Sequence, residues 1–204
     1  MSIKVHSLAY SRSVRIVWLL EELGQPYELV RYPRTEDYTA PEALRRIHPL
    51  GKSPIIEDGD LVLAESAAIL RYIHARHGAG RFAPEPGTPE GAHHDEWLDY
   101  VEGSLSRPVG AAFWARRSGT ELDRRSADAI ALHMGYIDDH LARNRFLTGD
   151  ALTLADMQIS YLLAMARYAG VLSGDAANAY LDRLLELPAV IRAIDATGPV
   201  MPES

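Results

Sequence analysis

The first part of the chain alternates between strand-like and helix-like spacing of its apolar residues. Residues 3–8 alternate apolar and polar side chains, which is typical of a short strand. An apolar stripe with helical spacing follows at about 12–23 and ends at Gly24 and Pro26. A second strand is predicted at 27–32, and the crossover helix between the two strands makes them parallel. The chain therefore begins with a β-α-β unit.

The same unit continues through a short helix, a hairpin and a longer helix. The short helix is predicted at 41–47, where a proline occupies the first turn. Two apolar runs within 55–63 flank an Asp-Gly pair, which is a strong hairpin signal. An amphipathic helix then begins at Ser66 and ends near residue 78. The predicted order over residues 1–78 is β-α-β-α-β-β-α.

The composition changes after residue 78. Residues 79–90 contain three prolines and two glycines and predict a linker. Only helical spacings follow, with helices predicted at about 89–117, 120–143, 154–169, 177–187 and 189–196. The fold class is therefore α/β plus all-α, with one domain at 1–78 and an all-helical domain at 91–204.

Two local signals concern the helices of the second domain. Thr153 and Asp156 have the spacing of a capping box, with Asp in place of the usual Glu and apolar neighbours placed for a hydrophobic staple. This motif predicts a helix start and no chemistry. Pro108 predicts a kink in its helix, or a helix end at Arg107.

Composition and charge exclude several kinds of chemistry. The 204 residues include 28 acidic and 21 basic side chains, and a net charge of −7 argues against a nucleic-acid partner. The absence of cysteine excludes a disulfide framework, a thiolate metal site and a cysteine nucleophile. The chain has neither the pattern of a signal peptide nor an apolar run of the roughly 18 residues that a membrane span needs. We therefore expect a cytoplasmic protein with no membrane partner.

The histidines do not have the spacing of a metal site. His93 and His94 precede Asp95 and Glu96, but adjacent residues on a helix point about 100° apart. We expect a solvated helix face at this position and no bound metal.

Three short segments place hydroxyl and charged groups at the boundaries of predicted elements. They are residues 10–13 at a strand-to-helix junction, the turn 48–54 that leads into a strand, and Glu65-Ser66 at a helix start. Each has a structural interpretation, as a helix cap for the first and last and as a proline-glycine loop for the second. Their order within one β-α-β-α-β-β-α unit favours a functional interpretation.

This order of segments resembles the cytosolic glutathione S-transferase superfamily, and specifically its serine-type microbial branch, over essentially the full chain. The matching pieces are the serine-rich first loop with the helix after it, the turn 49–54, Glu65-Ser66 and the Thr153–Asp156 capping box. The resemblance implies a thioredoxin-like first domain with a four-stranded mixed sheet. It also implies a homodimeric enzyme that transfers the thiolate of glutathione, its co-substrate, to a small hydrophobic electrophile.

The resemblance implies a role for each segment in glutathione binding. Pro54 matches a cis-proline that turns the backbone of Ser53 toward the cysteinyl part of glutathione. Lys52 matches a basic or amide side chain that binds the glycine carboxylate. Glu65 accepts from the γ-glutamyl ammonium, and Ser66 binds the γ-glutamyl carboxylate at a helix N-terminus.

The thiol-activating group is expected at Ser11, with Tyr10 and Ser13 as alternatives. Ser11 aligns best with the catalytic serine of serine-type members, whereas Tyr10 stands where some bacterial members carry cysteine. For the electrophile, the resemblance implies an acceptor pocket with Tyr10, Arg107 and Trp114. A glutathione-dependent peroxidase, disulfide reductase or ether-cleaving enzyme on the same site remains an alternative, as does a non-catalytic ligand-binding member.

Overall fold

The computed structural model describes residues 2–202, which form two units. The first unit runs to Ala79 and also includes the stretch that begins at Leu187. The second unit runs from Gly80 to Glu186. The first is an α/β unit and the second is helical, which agrees with the predicted fold class.

The first unit contains a mixed sheet whose strands occur where the apolar alternation predicts them. The strands are β1 (Ile3–Leu8), β2 (Tyr27–Tyr32), β3 (Ile55–Asp58) and β4 (Leu61–Ala64). Their spatial order is β2-β1-β3-β4. β1 pairs in parallel with β2 and antiparallel with β3, and β3 and β4 form the predicted hairpin. The parallel pairing of β1 with β2 confirms the β-α-β unit predicted for the first 32 residues.

Helices cover this sheet. They are α1 (Ser13–Leu23), α2 (Glu42–Ile47) and α3 (Ser66–His77). The whole of α1 up to Leu20 is buried, because its apolar stripe packs against β1 and α3. α1 ends at Gly24, whose φ of 63° lies in the left-handed region that glycine adopts at little cost. The thioredoxin-like arrangement places the first turns of α1 and α3 beside the same edge of the unit as the turn before β3.

The second unit is built from five helices among the described residues. They are α4 (Pro89–Tyr100), α5 (Ser106–Ser118), α6 (Arg124–Leu141), α7 (Leu154–Tyr168) and α8 (Asp175–Leu185). A π-helical turn at Val101–Leu105 joins α4 to α5. Of the two outcomes predicted for Pro108, a helix end at Arg107 does not occur. Pro108 is the third residue of α5, in the first turn after the π-helical turn, where a missing N–H is tolerated.

The last helix, α9 (Pro188–Thr197), packs along α1 in the first unit. Arg192 Nε donates to Glu21 Oε2 at 2.7 Å, and Tyr27 OH donates to the other oxygen of Glu21 at 2.8 Å. The helical spacings predict one helical domain over residues 91–204. The structure groups α9 with the α/β unit instead, since an apolar stripe does not specify which surface covers it.

The capping box at Thr153 and Asp156 is confirmed, and Asp156 has more partners than a cap requires. Its Oδ2 accepts from the Thr153 amide at 2.8 Å, and its Oδ1 accepts from the Leu147 amide at 2.9 Å and from Tyr180 OH at 2.5 Å. Burial raises the pKa of Asp156, and these hydrogen bonds oppose the rise. Asp156 therefore joins α7 to α8 and to the preceding loop.

Within residues 2–202, no helix is long and apolar enough to cross a membrane. The histidine and carboxylate side chains of the same range form no group of three that could hold a metal ion. His93 is exposed and lies 3.0 Å from Glu96. His94, in contrast, is buried, so the expectation of a solvated face is wrong for His94. The cause is the angle of about 100° between neighbouring side chains on a helix.

Candidate active site

Four serine hydroxyls form a connected row between β1, α1 and the turn before β3. Ser7 Oγ lies 2.7 Å from Ser13 Oγ, which lies 2.9 Å from Ser11 Oγ. Ser11 Oγ in turn lies 3.2 Å from Ser53 Oγ. We call Ser7, Ser13, Ser11 and Ser53 the serine chain. Ser7 and Ser13 are 1% exposed, whereas Ser11 is 8% exposed, so Ser11 is the more accessible of the three on the β1–α1 side.

The hydrogen bonds at Ser53 fix the direction of the serine chain. Ser53 Oγ donates its one proton to the His6 carbonyl at 2.9 Å and accepts from the Leu8 amide at 3.1 Å. Ser11 must therefore donate to Ser53, since a hydroxyl carries one proton. It follows that Ser13 donates to Ser11. Ser7 in turn donates to Ser13, so the hydrogen bonds from Ser7 and Ser13 together polarise the Ser11 hydroxyl.

Neither helix beside these residues uses a serine as its cap. The residue before α1 is Arg12, which has helical backbone angles and makes no capping hydrogen bond with its side chain. The residue before α3 is Glu65, which also makes none. The helix-cap interpretation is therefore wrong for Glu65-Ser66, whereas the Ser11 hydroxyl accepts from the amide of Ser13, the first residue of α1, at 3.4 Å.

Two residues at these helix starts have a left-handed backbone although neither is glycine. Tyr10 has a φ of 53° and Glu65 a φ of 71°. Such backbone angles cost about 1–3 kcal/mol and are concentrated at functional sites. Glu65 is exposed, and Tyr10 is half-buried with its ring nearly parallel to that of Tyr38, at a centroid separation of 6.4 Å.

A buried arginine lies behind the N-terminus of α3. Arg15 on α1 is 0% exposed, and its Nη1 donates to Ser66 Oγ at 3.2 Å. Ser66 is the first residue of α3 and is itself buried. The guanidinium adds a full positive charge to the positive end of the helix dipole, which suits a carboxylate ligand. Sequence reasoning missed Arg15, although a cation within an otherwise apolar helix start was a usable signal.

The turn before β3 brings three predicted residues together. The Ser53–Pro54 peptide bond is cis, as the resemblance implies. Pro54 is buried, Ser53 is half-buried and Lys52 is exposed. Ser53 thus connects this turn to Ser11, whereas the Lys52 side chain extends into solvent.

The residues predicted for an acceptor pocket come from both units. Tyr10 belongs to the first unit, and Arg107 and Trp114 lie on α5 in the second. Arg107 is exposed, and Trp114 is 53% exposed with its ring edge-on to Phe113.

Comparisons with known proteins cover both units. The family model of the glutathione S-transferase N-terminal domain matches residues 1–75. Glutathione S-transferase 3 of Schizosaccharomyces pombe is 34% identical over 182 residues, which span 81% of this chain and 74% of the yeast protein. A solved glutathione S-transferase from Actinobacillus pleuropneumoniae has a TM-score of 0.86 at 33% identity and covers 97% of this chain and 94% of its own. A sphingomonad glutathione S-transferase complexed with glutathione shares the fold, with a TM-score of 0.79 at 24% identity and coverage of 96% and 98%.

Proposed function

The chain belongs to the glutathione S-transferase superfamily and is a glutathione transferase, and we propose that Ser11 activates glutathione for attack on a small hydrophobic electrophile. The observation that carries this proposal is the serine chain, in which Ser11 accepts from Ser13 and carries a proton that can be donated to a sulfur atom. Ser13 is the least suitable of the alternatives, because it is buried behind Ser11. We assign Tyr10 to the electrophile instead, as the resemblance implies.

We assign the two ends of glutathione to charged groups on separate elements. The γ-glutamyl carboxylate binds at Ser66, where Arg15 supplies a buried cation, and the γ-glutamyl ammonium is bound by Glu65. The cysteinyl part pairs with the backbone of Ser53, and Lys52 binds the glycine carboxylate. A solved relative of the same fold, the sphingomonad enzyme, contains bound glutathione, which supports glutathione as the co-substrate.

The serine chain supplies a hydrogen-bond donor to the sulfur at small cost. In the absence of ligand, the Ser11 proton points to Ser53. Rotation about one bond turns that proton to the sulfur, while Ser13 still donates to Ser11. The thiolate then forms a carbon–sulfur bond with the electrophile, the leaving group departs with its electron pair, and the thiol proton has already passed to solvent.

The magnitudes show that no formal base is required. A cysteine thiol has a pKa of about 8.5. Lowering that pKa by about two units requires roughly 2.7 kcal/mol in favour of the thiolate. A hydrogen bond to a charged group contributes about 1.5–3 kcal/mol. The N-terminus of α1 adds up to about 2 kcal/mol in favourable geometry.

The remaining proposals come from the resemblance. As the resemblance implies, we propose Arg107 and Trp114 on α5 for binding of the electrophile, and we expect a homodimer located in the cytoplasm. Trp114→Ala should raise the KM for the electrophile and leave the KM for glutathione unchanged, as measured by steady-state kinetics. An unchanged electrophile KM would remove Trp114 from the pocket.

Calorimetry and turnover together test the function. The wild-type protein should bind glutathione and conjugate it to an activated aryl halide, and the parallel turnover of a peroxide, a mixed disulfide and an ether should be slower. Ser11→Ala should lower turnover, whereas Ser160→Ala should not. Ser160 is a matched control because its hydroxyl is 9% exposed and donates to a carbonyl of its own helix. Absence of binding at millimolar glutathione would refute the proposal. Full turnover by Ser11→Ala would remove Ser11 from thiol activation, and binding of glutathione by the wild type without any turnover would favour a non-catalytic role for the site.

A further inference from the structure

Arg34 lies two residues after β2 and donates to the backbone of two separate loops. Its Nε donates to the Ala9 carbonyl at 2.9 Å, and its Nη2 donates to the Tyr10 carbonyl at 3.1 Å. Its Nη1 donates to the Tyr38 carbonyl at 2.9 Å. Ala9 and Tyr10 are the two residues before Ser11. One guanidinium therefore connects the loop that carries Ser11 to the loop after β2.

The loop after β2 is a firm support for Arg34. The Thr35 amide donates to the Thr39 carbonyl at 3.0 Å, and the Tyr38 amide donates to the Thr35 carbonyl at 2.9 Å. The hydroxyls of Thr35 and Thr39 lie 2.8 Å apart. The Arg34 guanidinium also lies 4.2 Å above the centroid of the Tyr38 ring, a cation–π contact. The hydrogen bonds between Thr35 and Thr39 close this turn, and the turn fixes the position of Arg34.

The loop on the other side needs support. Tyr10 has a φ of 53°, a left-handed backbone angle that a residue with a β-carbon adopts only at an energetic cost. The carbonyls on both sides of that backbone angle are the ones that accept from Arg34. Hydrogen bonds from a charged donor are stronger than those from a neutral one, and two of them to this segment offset the cost. Ser11 follows Tyr10 immediately, so the Tyr10 backbone sets where the Ser11 hydroxyl lies.

We propose that Arg34 is a positioning residue for thiol activation. It holds Tyr10 in the left-handed conformation and so keeps Ser11 Oγ in the serine chain, facing the sulfur. The inference rests on the proposed function, in which Ser11 donates to that sulfur. The groups assigned to glutathione binding lie in the turn before β3 and at the start of α3, with Arg15 of α1 behind Ser66. We therefore expect loss of Arg34 to affect the thiolate and to leave the affinity for the thiol form of glutathione unchanged.

Two substitutions of Arg34 and one matched control test this proposal. Arg34→Met removes all three donors, and Arg34→Lys keeps the charge but not the planar fork that reaches three carbonyls. Arg31→Met is the control, since Arg31 is an exposed arginine on β2 that donates to a single carbonyl, that of Ala196. The readouts are the pH dependence of kcat/KM for conjugation, the ultraviolet absorbance of the bound thiolate and the Kd of glutathione from calorimetry.

The expected result is a shift in protonation without a shift in the affinity for the thiol form of glutathione, which calorimetry measures at a pH well below both midpoints. Arg34→Met should raise the midpoint of both pH profiles by about one unit, a roughly tenfold loss of thiolate well below the midpoint. Arg34→Lys should show a smaller shift in the same direction, which keeps the test available if Arg34→Met does not fold. Arg31→Met should behave as the wild type. Wild-type pH profiles for both Arg34 variants would overturn the proposal, and so would a weakened Kd with an unchanged midpoint.

A double-mutant cycle shows whether Arg34 acts through Ser11. In a Ser11→Ala background, Arg34→Met should cause no further shift, because the group that it positions is already absent. Additive shifts would overturn the proposal and leave the role of Ser11 intact. A wild-type profile for Ser11→Ala alone would refute the proposed activation itself and this inference with it. Altered Ser11→Ala with unaltered Arg34→Met would refute this inference only.

Discussion

Ser13→Ala separates a role for the whole serine chain from a role for Ser11 alone. Ser13 Oγ bridges Ser7 at 2.7 Å and Ser11 at 2.9 Å, and it is 1% exposed. The substitution removes the donor behind Ser11 without removing the Ser11 hydroxyl. If the serine chain polarises Ser11, the pKa of bound glutathione should rise, but by less than in Ser11→Ala.

The geometry sets the size of both effects. Ser11→Ala removes a hydrogen bond to the thiolate worth about 1.5–3 kcal/mol, which corresponds to a pKa rise of about 1–2 units at 1.36 kcal/mol per unit. A donor in a chain strengthens the next hydrogen bond by roughly 10–30%. Ser13→Ala should therefore cost about 0.2–0.9 kcal/mol of thiolate stabilisation, or about 0.1–0.7 pKa unit.

Titration of the thiolate absorbance in the enzyme–glutathione complex measures these shifts directly. Tyr10→Phe tests the remaining alternative and should leave the titration midpoint unchanged. Ser160→Ala controls for the loss of a buried hydroxyl in a serine remote in sequence from the site. Urea unfolding of each variant shows whether a change in pKa accompanies a change in stability.

The order of the shifts decides the assignment. A shift for Ser13→Ala equal to or larger than that for Ser11→Ala would mean that Ser13 contacts the sulfur, and the direction assigned to the serine chain would be wrong. A shift for Tyr10→Phe with none for Ser11→Ala would transfer the role to the phenol. No shift in any of the three variants would refute activation by a hydroxyl.

Three further predictions concern the framework of the site and the fold. Asp156→Asn should lower the free energy of unfolding by about 3 kcal/mol or more, measured by urea unfolding, because donors that converge on a buried carboxylate lose their charged acceptor. The hydrogen bond from His6 lowers the pKa of Glu57 below the ordinary 4.5, so the unfolded state binds more protons in acid. The free energy of unfolding should therefore fall as the pH drops from about 5 through the lowered pKa. The fall should be less steep in Glu57→Gln. Arg15→Met should weaken glutathione binding about tenfold by calorimetry, through loss of the cation behind Ser66, with an unchanged thiolate midpoint; equal affinity would remove Arg15 from the carboxylate site.

The fold was predictable where one face of an element meets the core. The strands from residue 3 to residue 63 follow two-residue alternation and the Asp-Gly turn, and the structure has them at those positions. The packing of α9 was not predictable, because its stripe reports that one face is buried and not which surface buries it. The expectation that His94 is solvated was wrong for a related reason, since neighbouring residues on a helix can have opposite environments.

The serine residues of the candidate site were predictable from the sequence, whereas its arginines were not. Ser11, Ser53 and Ser66 belong to short segments whose order in the chain is informative. Arg34 acts on backbone carbonyls, which every residue has, so no side-chain pattern marks its partners. Its proposed role depends on the pairing of β1 with β2, which brings residue 34 beside residues 9 and 10.

The proposed assignment, with neutral hydroxyls at the sulfur and charged groups at the ends of glutathione, is consistent with the reactivity of thiolates. At pH 7, lowering the thiol pKa from about 8.5 to about 6.5 raises the thiolate fraction roughly 24-fold. The intrinsic nucleophilicity falls only about 6–10-fold over the same two units, so the reaction gains. A further two units would raise the fraction by about 1.3-fold and lower the nucleophilicity again by about 6–10-fold, a net loss. A cation at the sulfur would therefore slow the attack, whereas at Ser66 the charge of Arg15 serves binding alone.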